Sequence, residues 1–239
     1  MGKETAFGRW YRKYIDKWIP AYGVLGLICC FLWNSLIYTG TQLAMKNAYH
    51  YDLTTDLDRK IPFVKEWVLV YVICFAFWAV NYILILREGR EKWFRFMAAD
   101  MLSRLVCGVF FIFLPTTNVR PEVTGDGFIS WLMRFIYRMD MPTNLFPSIH
   151  CLVSWFCFIG IRKSTKVPGW YKVFSCVFAL MVCASTQFTK QHYLVDVVAG
   201  LLLAELFWFV TNHVSLYRYT QRFTRILNRK VFGVADYDE

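Results

Sequence analysis

Six apolar runs, separated by short polar connections, dominate the pattern of the chain. They cover about Ile19–Tyr38, Val64–Leu86, Phe96–Leu114, Ser148–Ile161, Trp170–Ala184 and Tyr193–Val214. A helix needs roughly 17–25 apolar residues to cross a hydrocarbon core. Most of the runs meet that length; Ser148–Ile161 is short unless it begins inside Phe146-Pro147. A seventh segment, Phe128–Met139, alternates differently. Its apolar positions fall on one helical face and Arg134 and Arg138 lie four apart on another, the pattern of a helix lying along a membrane surface. The expected architecture is all-α: a polytopic membrane protein of six transmembrane helices in one bundle, with an interfacial amphipathic helix between spans three and four. No repeat, low-complexity tract or domain boundary interrupts residues 1–239, so a single integral membrane domain is expected.

Composition agrees with this reading. Apolar residues make up 57% of the chain and aromatics 19%, above the roughly 45–50% apolar share of soluble domains. A soluble hydrolase is thereby excluded. The formal charge of +10 sits in short clusters between apolar runs rather than along one stripe. That distribution fits loops facing anionic lipid and argues against nucleic-acid binding. Basic residues concentrate in the N-terminus, in Arg87–Arg95, in Arg162–Lys172 and in the tail from Arg218 to Lys230. By the positive-inside rule both termini are expected to be cytoplasmic. The run from Ile19 is too long for a signal-peptide core and is read as a retained span.

Three polar clusters then gather on the opposite, extracytoplasmic or lumenal face. The first is Ser185–Asp196, where His192 and Asp196 stand four residues apart and share one helical face. A carboxylate there fixes one imidazole nitrogen and leaves the other free to react; the same spacing also serves as a plain staple at a helix end. The second is Asn144–His150, in which Pro147 suits the first turn of a helix and Ser148 lies near unpaired backbone N–H groups, an anion site in waiting. The third is Asn118–Pro121, whose Arg120 offers a planar fork for phosphate. Lys190 adds a cation beside His192, or is an exposed interfacial lysine. Asp100 and Arg104, one turn apart near the start of the third span, are expected to pair or to lie at the interface. The eight cysteines show no Cys-x-x-Cys spacing and only four histidines exist, so a structural zinc site has little support. His50 and His213 are read as structural.

The order and spacing of these clusters resemble the type 2 phosphatidic acid phosphatase superfamily of membrane lipid phosphatases and phosphotransferases. Its second motif, Pro-Ser-Gly-His, is matched by Pro147-Ser148-Ile149-His150. Its third, Ser-Arg, five residues, His, three residues, Asp, is matched by Ser185-Thr186, His192 and Asp196. Its first, Lys, six residues, Arg-Pro, is matched by Phe113 and Arg120-Pro121. Two family cations are replaced, by Phe113 and Thr186. A Phe-Pro-Ser-x-His segment together with Ser-Thr is similar to the inositol phosphorylceramide synthase branch. The resemblance covers the second half of the chain, with its motifs within 113–196, and the six-span layout.

It implies His192 as nucleophile forming a phosphohistidine, Asp196 as its orienting partner, and His150 as acid and then base. Arg120, Ser148, Lys190, Ser185 and Thr186 are the expected phosphate-binding positions. No metal or other cofactor is required by such a site. The implied substrate is a phospholipid, sphingolipid or polyprenyl phosphate, attacked at a phosphate ester or diphosphate and delivered by the bilayer. Water is the expected acceptor; a lipid hydroxyl is the alternative, and a non-catalytic lipid-binding protein of the same fold is a further one.

Overall fold

A computed structural model describes residues 4–233; the basic Lys3 and the last residues of the expected domain lie outside them. The described chain forms ten helices: α1 (Ala6–Tyr14), α2 (Ala21–Ala44), the short α3 (Asp56–Lys60), α4 (Val68–Leu86), α5 (Arg90–Phe113), α6 (Phe128–Met139), α7 (Ile149–Ile161), α8 (Gly169–Phe188), α9 (Leu194–His213) and α10 (Tyr217–Phe232). Two two-residue strands, β1 (Tyr51–Asp52) and β2 (Thr116–Thr117), pair in parallel and tie the α2–α3 and α5–α6 connections together. The all-α polytopic fold expected from the apolar runs is the one observed.

Five helices, α2, α4 with its preceding 3₁₀ turn, α5, α8 and α9, are long and apolar enough to cross a membrane. The expected fourth span is different. α7 has 13 residues, about 20 Å at ~1.5 Å per residue, against a core of ~30 Å. Its place explains its length. α4, α5, α8 and α9 all pack on it, and Leu152, Phe156, Cys157 and Ile161 are fully buried, so protein rather than lipid satisfies most of its surface. α7 is the axis of the bundle.

Element boundaries shift where polar residues continue a helix beyond its apolar run. α5 begins at Arg90, not Phe96, because Lys92 and Arg95 pair one turn back with Glu88 and Glu91. The basic connection read at Arg87–Arg95 is therefore mostly the first turns of α5. α8 likewise runs to Phe188, which places Ser185 and Thr186 inside its last turn. The N-terminal and C-terminal basic segments are themselves helical, and α1 packs on α10, with the Thr5 N–H donating to the Phe232 carbonyl at 3.0 Å.

α6 spans the residues that the amphipathic pattern marked. Phe128, Trp131, Phe135 and Met139 lie exposed along one side, with Trp131 stacked between the two phenylalanines. Leu132 and Met133 face inward against Val68 and Val123. Asp100 and Arg104 pair as expected, at 2.8 Å, and both bond the Tyr82 hydroxyl. Glu205 of α9 receives a two-pronged contact from Arg162 at 2.7 and 3.0 Å, plus the Trp155 indole N–H.

Candidate active site

The site forms where the α8–α9 connection meets the start of α7. α8 ends at Phe188, and Lys190 takes a left-handed backbone (φ 53) that turns the chain sharply. The N–H groups of Gln191 and His192 then donate to the Thr186 carbonyl, so His192 hangs from the end of α8 while Asp196 occupies the first turn of α9. The carboxylate of Asp196 caps that helix, accepting the Tyr193 N–H at 2.9 Å and contacting His192 Nδ1 at 3.1 Å. Staple and orienting pair are thus one and the same, and Nε2 of His192 is left for other partners.

α9 then presses on α7 at Gly200. A Cβ there would stand 2.7 Å from the Ser148 carbonyl oxygen, so only a glycine permits the approach. The contact is completed by the Ser148 N–H donating to the Asp196 carbonyl at 3.2 Å. This brings His150 beside His192, with ring centroids 5.8 Å apart. His150 is clasped by the aromatic face of α4: Tyr71 stacks on it at 4.5 Å, and Trp78 and Phe75 close around it at 5.4 and 6.1 Å.

Arg120 reaches the same place from the α5–α6 connection. Its guanidinium donates to Gln191 Oε1 and to the carbonyls of Asp140 and Tyr137, and it lies 4.7 Å over the Tyr137 ring. Among the described residues its buried Nε–H has no hydrogen-bond partner, and it is an open donor. Lys190 donates to the Asp58 and Ile61 carbonyls at 2.9 and 2.5 Å; it straps α3 to the site and still borders the cavity.

The remaining expected phosphate ligands are placed otherwise. Ser148 is the N-cap of α7, its Oγ accepting from the Cys151 N–H at 3.3 Å. Ser185 and Thr186 are fully buried, and their hydroxyls donate one turn back to Val182 and Cys183. None of the three borders the cavities at His192. Phe113 ends α5, is 81% exposed and borders neither cavity at His192.

Two cavities meet at His192. One, of about 520 Å³, is bordered by Arg59, Asn118, Arg120, Lys190 and Tyr193. The other, of about 250 Å³, holds His150 with Tyr38, Tyr71, Trp78 and Asp140. Asp140 was not foreseen. Its carboxylate accepts the Tyr38 hydroxyl at 2.5 Å and the Tyr71 hydroxyl at 2.6 Å, partners from α2 and α4 that no local motif links to it. Gln191, adjacent to His192 and bonded to Arg120, was missed as well; its Nε2 is buried and has no hydrogen-bond partner among the described residues.

Charge follows this geometry. Burial alone would lower the His192 pKa, but the hydrogen bond and charge of Asp196 outweigh it, and the net shift is upward from 6.5. Burial alone would raise Asp140, but the charge of His150, the two tyrosine hydroxyls and Arg120 hold it below the usual carboxylate range. Among the described residues no group of three or more His, Cys, Asp or Glu is placed to hold a metal ion.

The profile of one family, the PAP2 superfamily, matches residues 59–210, the stretch that runs from α3 through nearly all of α9 and includes Arg120, His150, His192 and Asp196. The chain belongs to the PAP2 superfamily. Comparison with curated proteins and with solved structures gives no match. PAP2 proteins are in general phosphatases and phosphotransferases of the lipid phosphoesterase type, and the helices of this PAP2 protein identify it as an integral membrane member.

Proposed function

We propose that this PAP2 protein hydrolyses the phosphate ester or diphosphate of a lipid through a covalent phosphohistidine on His192. The observation that carries the reading is the pairing of two unlike histidines 5.8 Å apart, one held through Nδ1 by a buried carboxylate and one stacked on the Tyr71 ring. Covalent phosphoryl transfer needs that division of labour. His192 Nε2 attacks phosphorus; the bond from phosphorus to the lipid oxygen breaks, and His150 supplies the proton that the departing oxygen takes. Water then attacks the phosphohistidine, His150 accepts its proton, the N–P bond breaks and inorganic phosphate leaves.

The two cavities support a direction for this sequence. The wider one carries the cations Arg59, Arg120 and Lys190 and suits the charged phosphoryl oxygens. The aromatic one holds His150 and suits the alcohol side of the ester. The distribution of Lys and Arg supports cytoplasmic termini and a site on the other face of the membrane.

The test incubates purified protein with a ³²P-labelled lipid monophosphate and a lipid diphosphate, in detergent and in vesicles. Inorganic phosphate should be released, and acid-labile label should stay on wild-type protein but not on His192→Ala. Label found only in a second lipid would replace hydrolysis with transfer. No turnover and no trapped label would favour a lipid-binding role.

A further inference from the structure

The oxygens of a phosphoryl group in transfer need hydrogen-bond donors, and the hydroxyls of Ser148, Ser185 and Thr186 border neither cavity at His192. Lys190 borders the wider one, but its ammonium already donates to two carbonyls. Other donors stand open. Among the described residues three buried side-chain N–H groups lack a hydrogen-bond partner, at Trp93 Nε1, Arg120 Nε and Gln191 Nε2. Trp93 Nε1 lies inside the bundle against Gly23 and Gly26 of α2. The other two belong to residues that bond each other, the Arg120 guanidinium donating to Gln191 Oε1.

Gln191 is held from several sides. It is 1% exposed. The left-handed turn at Lys190 precedes it, and its backbone N–H donates to the Thr186 carbonyl at 2.8 Å. The Asn118 side chain holds the carbonyl of Lys190, also at 2.8 Å. Arg120 sets the orientation of the carboxamide. A guanidinium has donors only, so Oε1 must face it and the NH₂ group must face away. Gln191 borders the smaller cavity, Arg120 the wider one, and His192 both. The bonded pair therefore spans the line on which the cavities meet.

A buried amide nitrogen without an acceptor is rare and costly in a folded protein, so this arrangement is complete only with an acceptor from outside the chain. A phosphoryl group carries oxygens enough for both Gln191 Nε2 and Arg120 Nε. We propose that Gln191 is a phosphoryl-oxygen ligand, its Nε2 amide donating to the group in transfer while its Oε1 keeps Arg120 aimed at the same group. A neutral donor of this kind gains strength as charge builds on those oxygens in the transition state, and it adds no charge of its own to hold back the freed phosphate. The inference rests on the reading that His192 is the phosphorylated nucleophile.

The experiment compares the full chain in detergent with two variants. Gln191→Met keeps the size of the side chain and loses both polar ends. Gln191→Glu keeps an acceptor for Arg120 and loses only the N–H groups. Phosphate release is measured from an alkyl and from an aryl phosphate, with inorganic vanadate as the transition-state mimic. Both variants should lower kcat by about 10²-fold, with KM within about threefold of wild type, the split expected of a contact made in the transition state. The loss of kcat/KM should be equal for the two substrates, and inhibition by vanadate should weaken by a similar factor.

Near wild-type turnover by Gln191→Glu overturns the inference, because the side chain would then do no more than anchor Arg120. This variant decides alone if Gln191→Met fails to fold. A loss confined to the alkyl phosphate also overturns it, since the amide would then serve the departing oxygen. So does a lower midpoint of thermal unfolding with unchanged kcat per folded molecule. In each of these cases wild-type turnover leaves the hydrolase reading intact. If wild-type protein releases no phosphate, that reading fails by itself, and the ligand is judged by vanadate binding, followed as a rise in the unfolding midpoint. A rise in wild-type protein that Gln191→Glu lacks supports it; an equal rise, or none in either, overturns it.

Discussion

Two acid–base pairs in this protein share almost every descriptor. Asp100–Arg104 and His192–Asp196 are each four residues apart, at 2.8 and 3.1 Å, with side-chain exposures of 6% for the base and 0% for the acid in both. Each carboxylate even keeps one buried oxygen without a hydrogen-bond partner among the described residues, Oδ2 of Asp100 and Oδ1 of Asp196. Spacing and burial therefore do not separate a brace from the proposed reactive pair. What differs is the proton. Arg104 holds its charge permanently and binds a third neutral partner, Tyr82. His192 can give up or regain a proton, and its unbonded nitrogen lies between two cavities, beside a second histidine.

The contrast breaks most sharply with His192→Ala. Hydrolysis should fall by roughly 10⁴-fold or more, as when a nucleophile is removed from a catalytic unit, and phosphoenzyme should vanish. Thermal unfolding in detergent should move by only a few degrees. A variant that keeps its turnover would make His192 a brace after all.

Arg104→Ala should do the reverse. Leaving Asp100 buried and unpaired is expected to cost about 3–5 kcal/mol of stability, seen as a lower midpoint of thermal unfolding. Activity per folded molecule should stay within about twofold of wild type, because the effect acts on folding and not on the barrier.

His150→Asn tests the neighbour that distinguishes the second pair. Loss of the acid and base should slow phosphate release by about 10²–10⁴-fold. The first step should suffer less with a substrate whose leaving oxygen needs no proton, such as an aryl phosphate, and comparing the two substrates checks the assignment.

The smallest effect concerns pH. The His192 pKa is raised above 6.5, and the nucleophile must be unprotonated at Nε2, so the acid limb of kcat/KM should lie above that value, with activity lost as pH falls through it. Asp196→Asn should move the limb to lower pH. Stability runs the other way. A group whose folded pKa is raised contributes stability that is fully present below the unfolded value and lost as pH rises through the folded one. The stability gap between wild type and Asp196→Asn should accordingly be widest in acid and narrow above the shifted pKa. An unshifted limb would mean that the carboxylate does not act on the ring.

The reach of the sequence can be judged from the same residues. The contact of His192 with Asp196 and the place of His150 in the first turn of α7 are legible because their neighbours are local: the helix period alone puts Asp196 under His192, and Pro147-Ser148 announces the start of α7. The membrane bundle was legible from apolar run length. α7 was not read as a buried axis, because an apolar helix wrapped in protein and one facing lipid have the same composition. Ser185 and Thr186 lie just past the apolar run that ends at Ala184, whereas α8 extends through them by turning their hydroxyls onto its own carbonyls. Asp140 was illegible for a different reason. Its partners Tyr38 and Tyr71 are 102 and 69 residues away, and only the packed bundle brings the three together.

Gly200 has no side chain to contribute to any reaction, yet it governs how far apart the two histidines stand. A methyl group there would collide with the Ser148 carbonyl and wedge α9 away from α7, carrying His192 off its neighbour by the thickness of that wedge. The gap between the two histidines is thus set by an omission. In designed variants, a larger residue at this inert position would reset the distance between the two histidines without changing either imidazole.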